Sequence, residues 1–455
     1  MRSLPPRALL TTTIAALMAS PAFATNGMNM EAYGAKAGGM GGASFGYDSG
    51  NSAVMNNPAT LTLRADQQDV GVGLTVLMPD VAAEVRGTPA QDDSDGTSYL
   101  MPTLSYIRKR DQFAYGAALV AQGGMGTEYG RNSFLSLSGE EIRSEVGFGR
   151  FMLPLAYQVN NELSIAGQLD YVWAGMDLAM DMDGASLNQL AMGNGGSVGG
   201  TLAAALPSFQ PSWARFEFSN SSDFTGQATG DGFGLKLGAH YKLNNAVAIG
   251  ATYHSKTNIS DMEGSGRIVM GTGMGPVPLS GDFFVRDFQW PETYGLGVAW
   301  TVNDKILLAG DIKRIMWSGT MDDFRVGFRA NNADSNNFGP MGDFRGATLE
   351  VAMDQKWDDQ TVLLLGGQYK LRPDVALRAG MNLASNPIPS STVNPLFPAI
   401  VENHYTLGVG WRITPAHSLA ASFAYAPEVT QTNPNTQITS SHAQSVLRVN
   451  YNFTF

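Results

Sequence analysis

Along most of the chain, apolar and polar side chains alternate residue by residue, the period of a strand with one greasy and one wet face. The last nine residues show it plainly: Leu447, Val449, Tyr451, Phe453 and Phe455 point one way, and Arg448, Asn450, Asn452 and Thr454 the other. The same period places apolar residues at odd positions of 163–173, 233–243, 247–253, 375–383 and 405–413, and at even positions of 294–300. Tight polar turns separate these segments: Arg110-Asp111, Asn160-Asn161, Asn244-Asn245, Asn303-Asp304, Pro373-Asp374 and Pro415-Ala416. Such residues adopt turn dihedrals cheaply. Six turns join twelve strands, and one more at each end makes fourteen, an even count with both ends on one side.

The other connections are long, about 87–97, 123–139, 184–229, 258–278, 319–345, 385–400 and 427–440. Short turns on one side and long loops on the other predict an all-β transmembrane antiparallel β-barrel of 14 strands over 67–455, turns toward the periplasm and loops outward. A soluble β-sandwich array rests on the same strand signals and is the competing fold. Residues 25–66 do not fit the strand pattern. They are rich in Gly, Ala, Ser and Asn but carry Tyr33, Phe45, Tyr47, Val54 and Leu61, which predicts a small hatch (plug) packed inside the lumen rather than a disordered tail.

Composition sharpens the compartment. Arg2 and Arg7 precede a short apolar stretch, and Ala22-Phe23-Ala24 has the small-x-small form cut by signal peptidase at Ala22 and Ala24, so 1–24 is expected to be a signal peptide. Its apolar run is far below the roughly 20 residues of a spanning helix. The formal charge of −11 becomes −13 once the two arginines are removed, which argues against nucleic acid as partner. There is no cysteine, hence no disulfide, thiolate metal site or cysteine nucleophile. Glycine (53) and aromatic residues (22 Phe, 15 Tyr, 7 Trp) are abundant, as a dyad-patterned barrel requires. The aromatic end, Tyr451, Phe453 and Phe455, is the expected signal for barrel-assembly machinery, and outer-membrane lipid and lipopolysaccharide are the expected surroundings of a monomer.

Residues 49–59 end in Asn57-Pro58-Ala59; further on stand Ala156-Tyr157-Gln158-Val159-Asn160-Asn161, Tyr241-Lys242-Leu243-Asn244-Asn245, and Trp290-Pro291-Glu292 followed by Tyr294-Gly295. In these stretches and in its aromatic terminus the chain resembles the FadL-type family of outer-membrane transporters for long-chain fatty acids, toluene and other hydrocarbons. The resemblance runs over nearly the whole mature chain. It implies a fourteen-strand barrel blocked by an N-terminal hatch, with Asn57, Pro58 and Ala59 at the hatch gate. It also implies capture by outer loops, an apolar pocket, and sideways exit through a gap made by a kink in the third strand. That strand would be 113–122, followed by Gly123, Gly124 and Gly126; these glycines either bend the strand or begin an outer loop.

Loop 184–229 carries Leu187, Leu190, Leu202, Leu206, Phe209 and Trp213, apolar for an exposed loop. Short helices there form either a hydrophobic capture groove or a self-packed cap. Lumen-facing Lys236, His240, His254, Arg378, Arg412 and Arg448 could pair with a ligand carboxylate or form networks with acids such as Asp170. The expected function is passive, hatch-gated passage of a hydrophobic small molecule with lateral exit into the bilayer; a hydrocarbon gains about 0.8 kcal/mol per buried CH₂. The alternatives are a general polar porin and a lipid hydrolase. Gly42-Ala43-Ser44-Phe45-Gly46 matches a nucleophile elbow but lacks the strand-turn-helix setting, so no enzyme activity is expected. Asp181-Met182-Asp183-Gly184 and Asp92-Asp93-Ser94-Asp95-Gly96 lack the full ligand series of a calcium loop, and neither metal nor cofactor is expected.

Overall fold

The computed structural model describes residues 26–222, 225–339 and 342–455, without the side chains of 207–209. The predicted signal peptide, with Ala22 and Ala24, lies outside the described residues.

The alternating segments form strands because each can bury one face in the lumen while the other meets lipid. Arg448 is 1% exposed, whereas its neighbours Leu447 and Val449 stand on the outer face with Leu407, Trp411 and Phe423. From Gln67–Val85 the antiparallel ladder passes to Tyr99–Arg110, Phe113–Tyr129, Ile142–Gln158 and Leu163–Asp183. It continues through Ala228–Lys242, Val247–His254, Thr293–Thr301, Ile306–Ile315 and Gln360–Arg372. Val375–Ala384, His404–Arg412, His417–Thr432 and Ile438–Thr454 follow. Ile438–Thr454 pairs with Gln67–Val85, from Asp69 opposite Thr454 to Val85 opposite Ile438. The result is an all-β closed antiparallel barrel. Closure leaves no free edge, as a wall in hydrocarbon requires.

Three of the six short turns share one device. Asn160 Oδ1 accepts from the N–H of Glu162 (2.9 Å) and Leu163 (2.7 Å). Asn244 does the same for Ala246 and Val247, and Asn303 for Lys305 and Ile306. An asparagine side chain thus replaces the ladder where the chain reverses.

The long connections differ from the loops expected. Region 258–278 belongs to a hairpin, Met262–Thr272 against Gly275–Arg286, and 319–345 contributes Asp323–Ala330, which extends the same sheet. Thr348–Asp354 and Gly196–Gly199 follow in that sheet, and Trp213–Phe218 ties it to the upper end of Leu163–Asp183. Most of 427–440 is strand as well, leaving only 433–437 as the reversal. The physical reason is that Val277, Leu279, Phe283 and Val285 alternate and bury one face against the aromatic interior. Helices Gly184–Ala191 and Thr201–Phe209 fill loop 184–229.

The outer face allows a direct check. Leu407, 66% exposed, lies near the middle of His404–Arg412. Leu407→Arg is expected to destabilise the barrel by about 2–4 kcal/mol, the usual range for a cation at midplane. Reversible denaturant unfolding in vesicles measures it; a loss below half that range would place this face away from lipid.

Candidate functional site

Residues 26–64 lie within the ring and bond to strands on many sides of it. Glu31 and Arg448, both fully buried, form a two-pronged ion pair at 2.6 and 2.8 Å. Asp311 Oδ2 accepts from the N–H of Ser44 (2.5 Å) and Phe45 (3.0 Å). Arg64 Nη1 pairs with Asp69 at 2.9 Å, Lys236 Nζ donates to the Met55 carbonyl, and Thr62 Oγ1 donates to Ser164.

Asn57 is the junction of this segment with the wall. Its side-chain amide donates to the carbonyls of Phe45 (2.8 Å) and Ala239 (2.9 Å), while its Oδ1 accepts from Ala59 N–H. Pro58 follows at the start of the 3₁₀ turn Pro58–Leu63, where its missing N–H costs nothing. The close approach depends on Gly238: a Cβ there would come 2.4 Å from Asn57 Oδ1.

The strand Phe113–Tyr129 carries Gly123, Gly124 and Gly126 within it, so they do not begin a loop. Its ladder with Tyr99–Arg110 stops at Val120 opposite Thr103. Residues 99–102 remain paired with Gln67–Val85. On the other side the register shifts between Ala121 and Gly123, which skips Gln122. The skipped residue is 1% exposed; its carbonyl accepts from Tyr33 Oη (2.7 Å) and its side-chain oxygen accepts from Arg150 Nε. Asn29 forms an isolated bridge with Gly123 from inside. Backbone crowds Gly123 and Gly124, and a side chain crowds Gly126. An added Cβ would meet Met28 O at 2.5 Å (Gly123), Val146 O at 2.1 Å (Gly124) and Tyr99 Oη at 2.6 Å (Gly126).

At this break lies a cavity of about 890 Å³. Leu119 and Trp173 on its lining are outer-face residues, 43% and 37% exposed, while Phe148 on the same lining is 3% exposed. The lining therefore joins residues of the outer face to residues of the interior. From Phe148 a row of buried rings runs on: Trp290 at 4.8 Å between centroids, Trp317 at 6.1 Å from Trp290, and Trp357 at 5.2 Å from Trp317. A second branch passes through Phe288, Phe324 and Phe397. The alternation did not single out this row, because Trp290, Trp317 and Trp357 all stand outside the regular strands. A large aromatic just beyond a strand end is the signal that could have found it.

Leu187, Leu190, Leu202 and Leu206 are buried under the outer cap in the same apolar cluster as the aromatic row, and Trp213 is half-buried; none lines the 890 Å³ cavity. The Phe209 side chain lies outside the described residues. Asp170 accepts from Arg150 (3.0 Å) and Gln168 (2.7 Å) and contacts His254 (2.8 Å), so this charge is internally matched. His240 contacts the Gly46 carbonyl. Arg412 is exposed at the short-turn end, where it donates to the Pro373 carbonyl. Ser44 Oγ donates to Gly42 O. At the terminus Phe453 stacks on Phe455, and the Tyr451 hydroxyl meets His417 Nδ1 at 2.6 Å.

Burial would raise the Glu31 carboxyl, but Arg448, with His404 beside it, holds it below the ordinary carboxylate range. A lowered acid contributes stability above its unfolded value, about pH 4.3, and loses it as pH falls through the lowered value. Glu31→Gln should loosen residues 26–42 by about 3–5 kcal/mol, since it strands a buried guanidinium. Amide exchange in that segment reads it. Unchanged protection at neutral pH would show that the pair does not anchor the segment; paired Glu31→Leu and Arg448→Met should recover much of the loss.

The chain matches the model of the outer membrane protein transport protein family (OMPP1/FadL/TodX) over residues 11–455. Among solved structures, the P. putida toluene transporter TodX superposes with a TM-score of 0.81 at 30% identity, covering 94% of this chain and 99% of that one. The long-chain fatty acid transport protein of Escherichia coli O6:H1 is 27% identical over 225 residues, 48% of this chain and 46% of that protein. An uncharacterized Chlorobium limicola protein is 46% identical over 107 residues, 23% of this chain and 51% of that protein. The chain thus spans about half the length of the curated relatives it matches.

Proposed function

Because the chain belongs to the OMPP1/FadL/TodX family of outer-membrane transport proteins, we propose that it carries a hydrophobic small molecule, an aromatic hydrocarbon or a long-chain fatty acid, and releases it sideways into the bilayer. The family and its solved relatives are outer-membrane channels, not enzymes. In this reading the fourteen strands of the closed ladder are the lipid-crossing wall, and the extra strands and two helices form an outer cap. Residues 26–64 are the hatch, with Asn57-Pro58-Ala59 at its gate, where Asn57 bonds to the wall. Ligand enters under the cap past Leu187, Leu190, Leu202 and Leu206, moves along the aromatic row, and leaves through the gap beside Gly123, Gly124 and Gly126.

The observation that supports this reading is the cavity lined from both faces of the wall at the point where the ladder of Phe113–Tyr129 with Tyr99–Arg110 stops at Val120. A neutral hydrocarbon has no reason to cross the charged lower lumen. Burying one methylene in an apolar medium gains about 0.8 kcal/mol, so the bilayer core reached through the gap is the favourable exit. The gradient drives the flow, and partition into lipid keeps the ligand from returning to water.

Uptake of labelled toluene and of labelled palmitate, in cells lacking their own transporter, separates the ligand classes. Gly126→Val fills the gap toward the Tyr99 ring, whose end can shift, and should lower uptake of the true ligand about tenfold or more, since a blocked route has no parallel path. The variant barrel should keep its heat-modifiable gel mobility. Native uptake rates in a well-folded Gly126→Val variant would eliminate lateral exit.

A further inference from the structure

A second cavity, of about 430 Å³, opens at the short-turn end between residues 26–64 and the wall. Although the chain as a whole is acidic, six cations line this cavity, among them Lys36, Arg64 and Arg378, against the three carboxylates Asp48, Asp69 and Asp374. The carboxylates are already engaged. Asp48 and Asp69 take Arg64 Nε at 3.2 Å and Nη1 at 2.9 Å, and Asp374 takes Arg372 at 2.9 Å. The Arg64 side chain is 6% exposed, and its Nη2 has no partner among the described residues.

Arg378 is the sharper case. It is 9% exposed, donates only through Nε, to Gln368 at 2.8 Å, and leaves Nη1 buried and unpartnered. It makes no ion pair among the described residues. Its guanidinium lies over Gly410, where an added Cβ would come 2.7 Å from Nη2 and 2.8 Å from Nη1. The wall thus omits a side chain to leave room for an arginine that has no carboxylate. A buried unpaired donor is costly, and a buried unpaired cation more so. Water can answer the N–H groups but not the excess charge, whereas an oxyanion answers both and suits a planar guanidinium fork.

We propose that this vestibule binds a small free oxyanion, a phosphate or a carboxylate, held by Arg378 and Arg64 with Lys36 at the mouth. The site is separate from the apolar route and faces the periplasmic water. It bridges the segment 26–64, through Lys36 and Arg64, to the wall, through Arg378, so an occupied site fastens the two together.

Calorimetry on the full chain in a non-ionic, lipid-free detergent, at ionic strength held constant with chloride, tests this with inorganic phosphate and, separately, acetate. Saturable binding of either anion at one site per chain is expected, phosphate alone or acetate alone fixing the class. Arg378→Gln should weaken it about tenfold or more, the scale of a lost charge-assisted fork. Lys36→Gln, at the more open position, should weaken it less, and heat-modifiable gel mobility certifies that each variant is folded. No saturable heat for either anion beyond the chloride control would overturn the proposal. So would equal affinity in a folded Arg378→Gln variant.

Discussion

A backbone amide in hydrocarbon has no water to bond, so every strand of this wall must find a partner on both sides. The antiparallel ring meets that demand through most of its length, down to the reciprocal bonds of Gln68 and Phe455 at 3.1 and 2.9 Å. Everything else in the molecule is arranged around a closed ring and around the place where it departs from full pairing. At Gly123 the neighbouring strand is no longer available, and Asn29 bridges to the glycine from the lumen instead. The backbone requirement is thus met partly from inside, which makes the segment 26–64 a structural component of the wall as well as its filling.

That arrangement places anchor and seal close together. Glu31, ion-paired to Arg448 on the last strand, stands two residues from Asn29 at the break. Tyr33, two residues farther on, bonds to Gln122. This short stretch therefore touches the strand at the break directly, with no chain of intermediaries. The lower part of the segment is held separately, by Asn57 to Ala239 and by Arg64 to Asp69.

The strands and short turns were legible because their signals are local. A lipid-facing strand must alternate, and an Asn at such a reversal caps the amides two and three residues on. The outer cap was less legible for the opposite reason. Its strands bury one face against rings from elsewhere, and Gly264, Gly266, Gly271 and Gly281 interrupt the alternation that would have marked them. The apolar run of 184–229 left a capture groove and a self-packed cap both open, because which way Leu187, Leu190, Leu202 and Leu206 turn, here inward, depends on partners far off in the chain. At the break, the glycines were legible as a group, but choosing between kink and loop needed the pairing of strands far apart in the chain. The aromatic row was hidden most deeply, since Phe148, Trp290, Trp317 and Trp357 come from separate segments.

One polar network explains why the break stays where it is. A bulge frees one residue from the ladder and leaves its backbone groups to be satisfied elsewhere. Here the skipped residue is Gln122, and it turns into the lumen. Arg150 bonds its side chain, Tyr33 bonds its carbonyl, and Arg150 is in turn fixed by Asp170, which also holds His254 and Gln168. Moving the register by one residue would send Gln122 toward lipid and strand Arg150. The charged lower lumen and the break in the ladder are therefore not independent: the buried charges specify the position of the bulge.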